Sequence, residues 1–368
     1  WLAAIWLLII GALTACADNY DAGNDEPYAD DAAPEPVTET PTTGDAWITD
    51  YANYIEEQVN QNAIPGLALA LIQGDEIVLA RGYGLRDVEN NKPVTPDTLF
   101  HIGSTHKSMT AMLIATLVDD GIVEWDTPVV EIHPEFALSD LDATGAVTLR
   151  HLLSMRSGIP DEAEDDLDMD DATPHDVFAV AAEAELLGMP GETFSYSNIS
   201  ASLAGYLSVI AAGGTMDDLY GGYAQLLQER VLDPIGMATA TVYASQAHSN
   251  PNMSKSYYVE RGKPVLAEIE DDDGDALAPA GSLKASVTEM AWYVMTQMNE
   301  GVAPNGTRVV SAANLTETWE PYLKDYGMGW ETKNYAGTEV IAHEGAYDHF
   351  VSVIGFVPEY EVGLVILV

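Results

Sequence analysis

Ser104 and Lys107 stand three residues apart at the mouth of an apolar run, Met109 to Leu117, in a chain that holds only seven lysines. A serine hydroxyl is a poor nucleophile near neutral pH and needs a base within hydrogen-bond reach. Three residues along a helix is one turn, so the two side chains share a face. The helix dipole disfavours an ammonium at that end, and desolvation in a cleft pushes the lysine pKa in the same direction, down. A neutral lysine accepts the serine proton. Gly103, with no side chain, lets a substrate carbonyl approach closely. The Ser-x-x-Lys spacing occurs once in the chain, but a capping serine followed by a surface lysine has the same spacing.

Two later segments add to this pair. Pro190 to Asn198 leads into the helical run ISASLAGYLSVIAAGG, which puts Tyr196 and Asn198 at a loop-to-helix junction. Beside a positive lysine, a tyrosine is expected to lose its proton more easily and to act as the second half of a base pair. Asn198 would hold the lysine or a substrate carbonyl. In EVIAHEGAY, His343, Glu344, Gly345 and Ala346 fall at the end of an expected strand. Gly345 lets substrate lie against the strand edge, and the Ala346 amide would join the Ser104 amide as an oxyanion hole.

The elements that must position these groups follow from hydrophobic periodicity. ITDYANYIEEQV has helical spacing, LALALIQ and EIVLARGYG read as two strands with a turn at Gly74-Asp75, and VSVIGFV and VGLVILV read as strands near the end. Met109, Met112, Leu113 and Leu117 mark one face of the helix behind the serine. Strands at both ends with helices between them predict an α/β (α+β) fold, an antiparallel sheet flanked by helices. The expected division is a discontinuous α/β domain at 47–125 and 266–368 interrupted by a mainly helical domain at 126–265, with the cleft where they meet. DEAEDDLDMDD, residues 161–171, reads as a solvated loop.

Taken in order, Ser-x-x-Lys, Tyr-x-Asn about ninety residues on, and a histidine-glycine strand motif near the end resemble the serine β-lactamase and penicillin-binding-protein superfamily. They look most like its class C branch, with the family VIII carboxylesterases and D-aminopeptidase-like serine hydrolases. TLRHLLSMRSGIP at 148–160, LDPIGM at 232–237, PAGSLKAS at 279–286 and YGMGW at 326–330 carry the resemblance beyond the three motifs. It implies a β-lactamase-like fold, Ser104 as nucleophile, Lys107 with Tyr196 as proton-transfer pair, and Asn198 and His343 assisting, in an acyl-enzyme mechanism. Two matches fall out of order: Tyr51-Ala52-Asn53 in the first helix, and His101-Ile102-Gly103, where His101 reads as a strand-end or packing residue.

One departure from the family bears on substrate. Its β-lactamases and transpeptidases usually carry a lysine where this chain has His343, and that lysine helps bind the substrate carboxylate. A histidine mostly neutral near pH 7 grips an anion less well, which tilts the expected substrate toward a neutral ester and away from a β-lactam or D-alanyl terminus. Glu344 would add negative charge if it points inward. The alternatives are a β-lactamase or D,D-peptidase, and a catalytically idle cell-surface lipoprotein. The family also adds a helix after the last strand, so an end at VGLVILV is expected to leave that strand's apolar face partly bare, as in a truncated sequence.

Composition sets the outer bounds. The chain has 368 residues, 47% hydrophobic, with 59 acidic against 14 basic residues and a formal net charge of −45. Polyanionic partners are repelled, so nucleic acid is not an expected partner. Charge of that size points to a saline setting in which salt screens it. WLAAIWLLIIGALTAC suits the apolar core of a secretory signal at residues 1–15, and Leu13-Thr14-Ala15-Cys16 resembles the lipobox of bacterial lipoproteins, in which Cys16 is lipidated. The lack of an initiator Met and of a basic segment before the apolar run points to a start further upstream. Residues 16–46, with nine carboxylates and no basic residue, read as a disordered tether holding the domain off a membrane. The chain is thus expected to be an extracytoplasmic lipoprotein acting on a small-molecule ester or amide. No cofactor or metal is indicated: in HEGAYDH the second histidine of a zinc motif would fall at Tyr347, and a calcium loop around Gly274 would begin at Ile269 and end at Ala280, neither a ligand.

Overall fold

A computed structural model describes residues 46–169, 171–269, 271–335 and 337–368. The signal-like segment 1–15, Cys16 and all but the last residue of the stretch 16–46 lie outside the described residues. The longer helices are α1 (Ala46–Gln61), α2 (His106–Asp119), α3 (Pro174–Glu183), α4 (Asn198–Ala211), α5 (Leu219–Leu227) and α6 (Val287–Met298). The strands are β1 (Gly66–Gln73), β2 (Glu76–Asp87), β3 (Lys92–Pro93), β4 (Leu99–His101), β5 (Tyr257–Glu260), β6 (Lys263–Leu266), β7 (Lys284–Ser286), β8 (Glu331–Tyr335), β9 (Thr338–Tyr347), β10 (Phe350–Val357) and β11 (Val362–Leu367).

Strands from both ends of the chain form one antiparallel seven-stranded sheet in the order β3-β2-β1-β11-β10-β9-β8. The interior strand β1 is buried on both faces, which its near-continuous apolar run requires. Leu67, Leu69 and Leu71 meet Tyr51, Ile55 and Val59 of α1, while Ala68, Ala70 and Ile72 face the main core that includes Val294 of α6. The face of β11 expected to be partly bare is covered: Val362, Leu364 and Ile366 pack in the same cluster as Tyr51 and Ile55. Tyr51 is thus a buried residue of an amphipathic helix.

Three local expectations are corrected by packing. Helix α2 has no exposed face before Val118, because its Ser, Thr and Ala positions are as buried as its Met and Leu. A helix so placed runs through the core. Hairpin β5–β6 interrupts the region read as helical and irregular, turning at Arg261-Gly262 with both residues at positive φ. The acidic segment 161–171 is not wholly solvated either. Asp161–Asp166 forms a 3-10 turn whose Ala163, with Leu167 just beyond it, is buried, fixing the position of Glu164 between them.

Candidate active site

Ser104 lies in a 3-10 turn, Gly103–Thr105, that runs straight into α2, so Lys107 in the first α-helical turn comes back over it. Two hydrogen bonds and a left-handed glycine hold the turn. Thr105 Oγ1 and Ser352 Oγ of β10 both donate to the Ile102 carbonyl, at 2.8 and 2.5 Å, and the Gly103 φ is +50°. A Cβ at Gly103 would stand 2.3 Å from the Ala346 carbonyl oxygen, so only glycine allows this approach of turn to strand.

Lys107 is 1% exposed. Its Nζ lies 2.8 Å from Ser104 Oγ, 2.6 Å from Asn198 Oδ1 and 3.0 Å from the Ala280 carbonyl, one acceptor for each proton of an ammonium. Burial nonetheless pulls its pKa down to about 7, against the opposing charges of Glu164 and Asp161. Near neutrality a large share of the lysine is therefore unprotonated and able to take the serine proton. Asn198 opens α4, behind the Ser197 N-cap. Its amide has one chemically consistent orientation, with Oδ1 on the lysine and Nδ2 donating to Glu164 Oε2 at 2.8 Å.

Tyr196 sits beside the pair, with its ring centroid 4.8 Å from Lys107 Nζ. Contrary to expectation, its proton is held more firmly than in water. Burial raises the phenol pKa, nearby Glu331, Asp161 and Glu164 add to the rise, and the neighbouring Ser104 hydroxyl only partly offsets it. Of the two groups the lysine holds its proton the more loosely, and the tyrosine stays protonated.

His343 is buried in β9, and both ring nitrogens are engaged. Nδ1 lies 2.5 Å from the Glu344 carbonyl and must donate to it, so Nε2 accepts from the Tyr326 hydroxyl at 3.0 Å. Burial, then the charge of Lys107, brings its pKa down to about 4. It is uncharged at neutral pH, as its position in place of a lysine led one to expect. Glu344 does not point inward: it alternates to the opposite face of β9 and is exposed.

The backbone places the amides. Val351 exchanges both backbone hydrogen bonds with Val368, so its cross-strand partner Ala346 directs its N–H and C=O to the other edge of β9. Strand β8 pairs only as far as Ala342, which leaves that edge free beside Ser104. Gly345 lets the strand close in, since a Cβ there would lie 2.2 Å from the Ile102 carbonyl and 2.9 Å from the Ser104 nitrogen. Ser104, Lys107, Tyr196, Asn198, His343, Gly345 and Ala346 therefore converge on one site.

Glu164, Tyr326 and Ala280 also belong to it. YGMGW and PAGSLKAS stood out in the sequence as segments, but nothing in them signalled a hydroxyl aimed at His343 or a carbonyl aimed at Lys107. His101 is brought elsewhere: it ends β4, buried, and bonds Asp271 rather than the serine. His248, which has no neighbouring partner in sequence, meets the same Asp271 oxygen at 3.1 Å. Among the described residues no group of three or more His, Cys, Asp or Glu is arranged to hold a metal ion.

An antiparallel sheet flanked by helices, with a serine and a buried lysine at the head of the central helix, defines a β-lactamase-like fold. A model of the Beta-lactamase family matches residues 51–368, and the chain belongs to that family, whose members are generally serine hydrolases. It is 27% identical over 337 residues to an unguisins hydrolase of Aspergillus campestris, covering 88% of this chain and 61% of that protein. It is 26% identical over 316 residues to the protein flp of Staphylococcus aureus, covering 85% of this chain and 61% of that one. The chain thus spans less than two thirds of the length of these relatives. The structure of an octameric penicillin-binding protein homologue from Pyrococcus abyssi is similar, with a TM-score of 0.74 at 26% identity over 87% of this chain and 73% of that one.

Proposed function

We propose that the chain is a serine hydrolase working through an acyl-enzyme, with small neutral esters as its substrate class. The observation that carries this is the 2.8 Å contact between Ser104 Oγ and a buried lysine amine whose pKa is about 7. Ser104 attacks the carbonyl carbon while its proton passes to Lys107. The oxyanion that forms is stabilised by the amides of Ser104 and Ala346. Collapse expels the alkoxide, which takes a proton from Lys107 by way of the Tyr196 hydroxyl. Water then attacks the acyl-enzyme and gives a proton to the lysine, and as the second intermediate collapses the lysine returns that proton to Ser104 Oγ, releasing the acid and the free serine. The name of the Aspergillus relative supports hydrolysis as the reaction class.

The preference for esters rests on His343. With both nitrogens occupied and no charge at neutral pH, it offers a substrate carboxylate no cation. A β-lactamase or D,D-peptidase activity is the rival, supported by the family and by the likeness to a penicillin-binding protein homologue. Turnover of a short-chain nitrophenyl ester against a chromogenic cephalosporin separates the two. The Ser104→Ala variant is expected to lose ester turnover and fluorophosphonate labelling together; labelling that persists in it would defeat the proposal and favour an idle surface protein. An extracytoplasmic place, with lipid on Cys16, is part of the same proposal. Among the described residues no helix is long and apolar enough to cross a membrane. Loss of detergent-phase partitioning in a Cys16→Ala precursor expressed in bacteria would support the lipid anchor, and unchanged partitioning would oppose it.

A further inference from the structure

The segment 161–167 reaches the site through Asn198 and carries a carboxylate that the proposed reaction does not use. Glu164 Oε2 accepts from Asn198 Nδ2 at 2.8 Å, and Asn198 Oδ1 accepts from Lys107 Nζ at 2.6 Å. A carboxylate only accepts, so Glu164 fixes Nδ2 on its own side and leaves Oδ1 to accept from the Lys107 amine. Turning the amide over would set its oxygen against the carboxylate oxygen. Glu164 itself is held by its surroundings. Ala163 and Leu167 on either side are buried, and the Asp161 backbone N–H donates to Ser195 Oγ at 3.0 Å.

We infer that Glu164 is a positioning residue for Lys107: through the Asn198 amide it fixes the amine against Ser104 and biases its proton occupancy. This rests on Ser104 being the nucleophile and Lys107 its base. The other charged or titratable groups around the amine do not share the contact. Asp161, in the same 3-10 turn, acts on Lys107 through its charge alone. Tyr196 faces it with its ring, while His343 and Tyr326 are held uncharged by burial. His106, beside it on α2, is brought down to about 3 by burial and is neutral. Glu331 of β8 acts on Tyr196 and His343. Among the groups that act on the Lys107 pKa, burial is the strongest, and the Glu164 carboxylate is first among those that oppose it.

The test uses the full chain and reads the pH dependence of Ser104 labelling by a fluorophosphonate, with kcat and KM on a nitrophenyl ester beside it. Glu164→Gln keeps an acceptor for Asn198 Nδ2 and removes the charge. Its acid limb should move to lower pH by about half a unit or more, with kcat at the plateau within about threefold of the parent. Glu164→Ala removes that acceptor as well and should lower kcat about tenfold with KM changed less than about twofold. Asp161→Asn should move the limb less than Glu164→Gln and leave the plateau unchanged. An unmoved limb in Glu164→Gln, or a full plateau rate in Glu164→Ala, overturns the inference. A parent chain that is never labelled at Ser104 overturns the serine-hydrolase proposal instead, so the two failures are told apart.

Discussion

At the scale of single residues, the site depends on one amine whose charge is unfavourable where it sits. An ordinary lysine titrates near 10.5, and burial has brought Lys107 to about 7. Between those values the unfolded chain binds a proton that the folded chain does not, so the lysine's contribution to stability improves as pH rises across that window. Below about 7 both states are protonated, and the full penalty of a buried ammonium is felt. Lys107→Met removes the effect. The stability of the parent minus that of Lys107→Met, measured by urea unfolding at several pH values, should therefore rise between about pH 7 and pH 10. Parallel curves would show that the amine is not perturbed. The same variant should lose about 10²-fold to 10⁴-fold in ester turnover, while the parent's kcat/KM climbs through about pH 7 as the lysine becomes neutral. The Ser-x-x-Lys spacing was legible because one turn of helix is a local geometry. Glu164 was not, since what makes it special is the burial of Ala163 and Leu167 against elements distant in sequence. Nor was the division of labour between Lys107 and Tyr196: proximity suggested that the lysine would acidify the phenol, and burial of the ring outweighed it.

At the scale of elements, the pairing of the short strands β4 and β7 is backed by a buried charge network that sequence spacing concealed. Lys284 of β7, fully buried, donates to Asp271 Oδ1 at 2.8 Å and to the Val242 carbonyl at 3.2 Å, and His101 of β4 meets Asp271 Oδ2 at 3.0 Å. Burial alone would raise the Asp271 carboxyl, but the hydrogen bond and charge of His101 and the Lys284 ammonium bring it down to about 2. The acid run around Gly274, which superficially suggested a calcium loop, is committed to protein partners: Asp271 here, Asp273 to Ser245, and Asp275 to Leu277 and Ser282. The network borders the site, since the His101 ring stacks on Tyr347, 4.2 Å between centroids, one residue beyond Ala346, and β4 leads directly into the Ser104 turn. Removing one partner strands a buried charge. Lys284→Met should lower stability by about 3–5 kcal/mol, whereas the double change Lys284→Met with Asp271→Leu should recover much of that loss. Denaturant midpoints on the two variants check this, and a double variant no more stable than the single one would show that the network does not act as a unit.

At the scale of the whole molecule, the joining of the two chain ends into one sheet was legible, because β1, β2, β9, β10 and β11 announce themselves by strand-length apolar runs. What the sequence states most loudly, its charge, has no counterpart in any single contact. Basic residues such as Arg81, Arg150, Arg230 and Lys255 already sit on carboxylates, and with 14 basic against 59 acidic residues pairing cannot remove the excess, a formal net charge of −45. Salt then acts in two opposed ways. It weakens the exposed pairs, each worth about 0–1 kcal/mol, and it screens the repulsion among carboxylates left without partners. The screening length falls from about 30 Å at 0.01 M to about 3 Å at 1 M, so repulsion across the molecule at low salt shrinks to contact range at molar salt. Because unpaired acids greatly outnumber pairs, the second effect should dominate. The melting temperature should climb as sodium chloride rises from about 0.01 M to 1 M, and sucrose at matched osmolality should produce a smaller rise, since it screens no charge. A melting temperature that stays flat or falls with chloride would mean that the acidic surface serves solubility alone and that folding requires no saline surroundings.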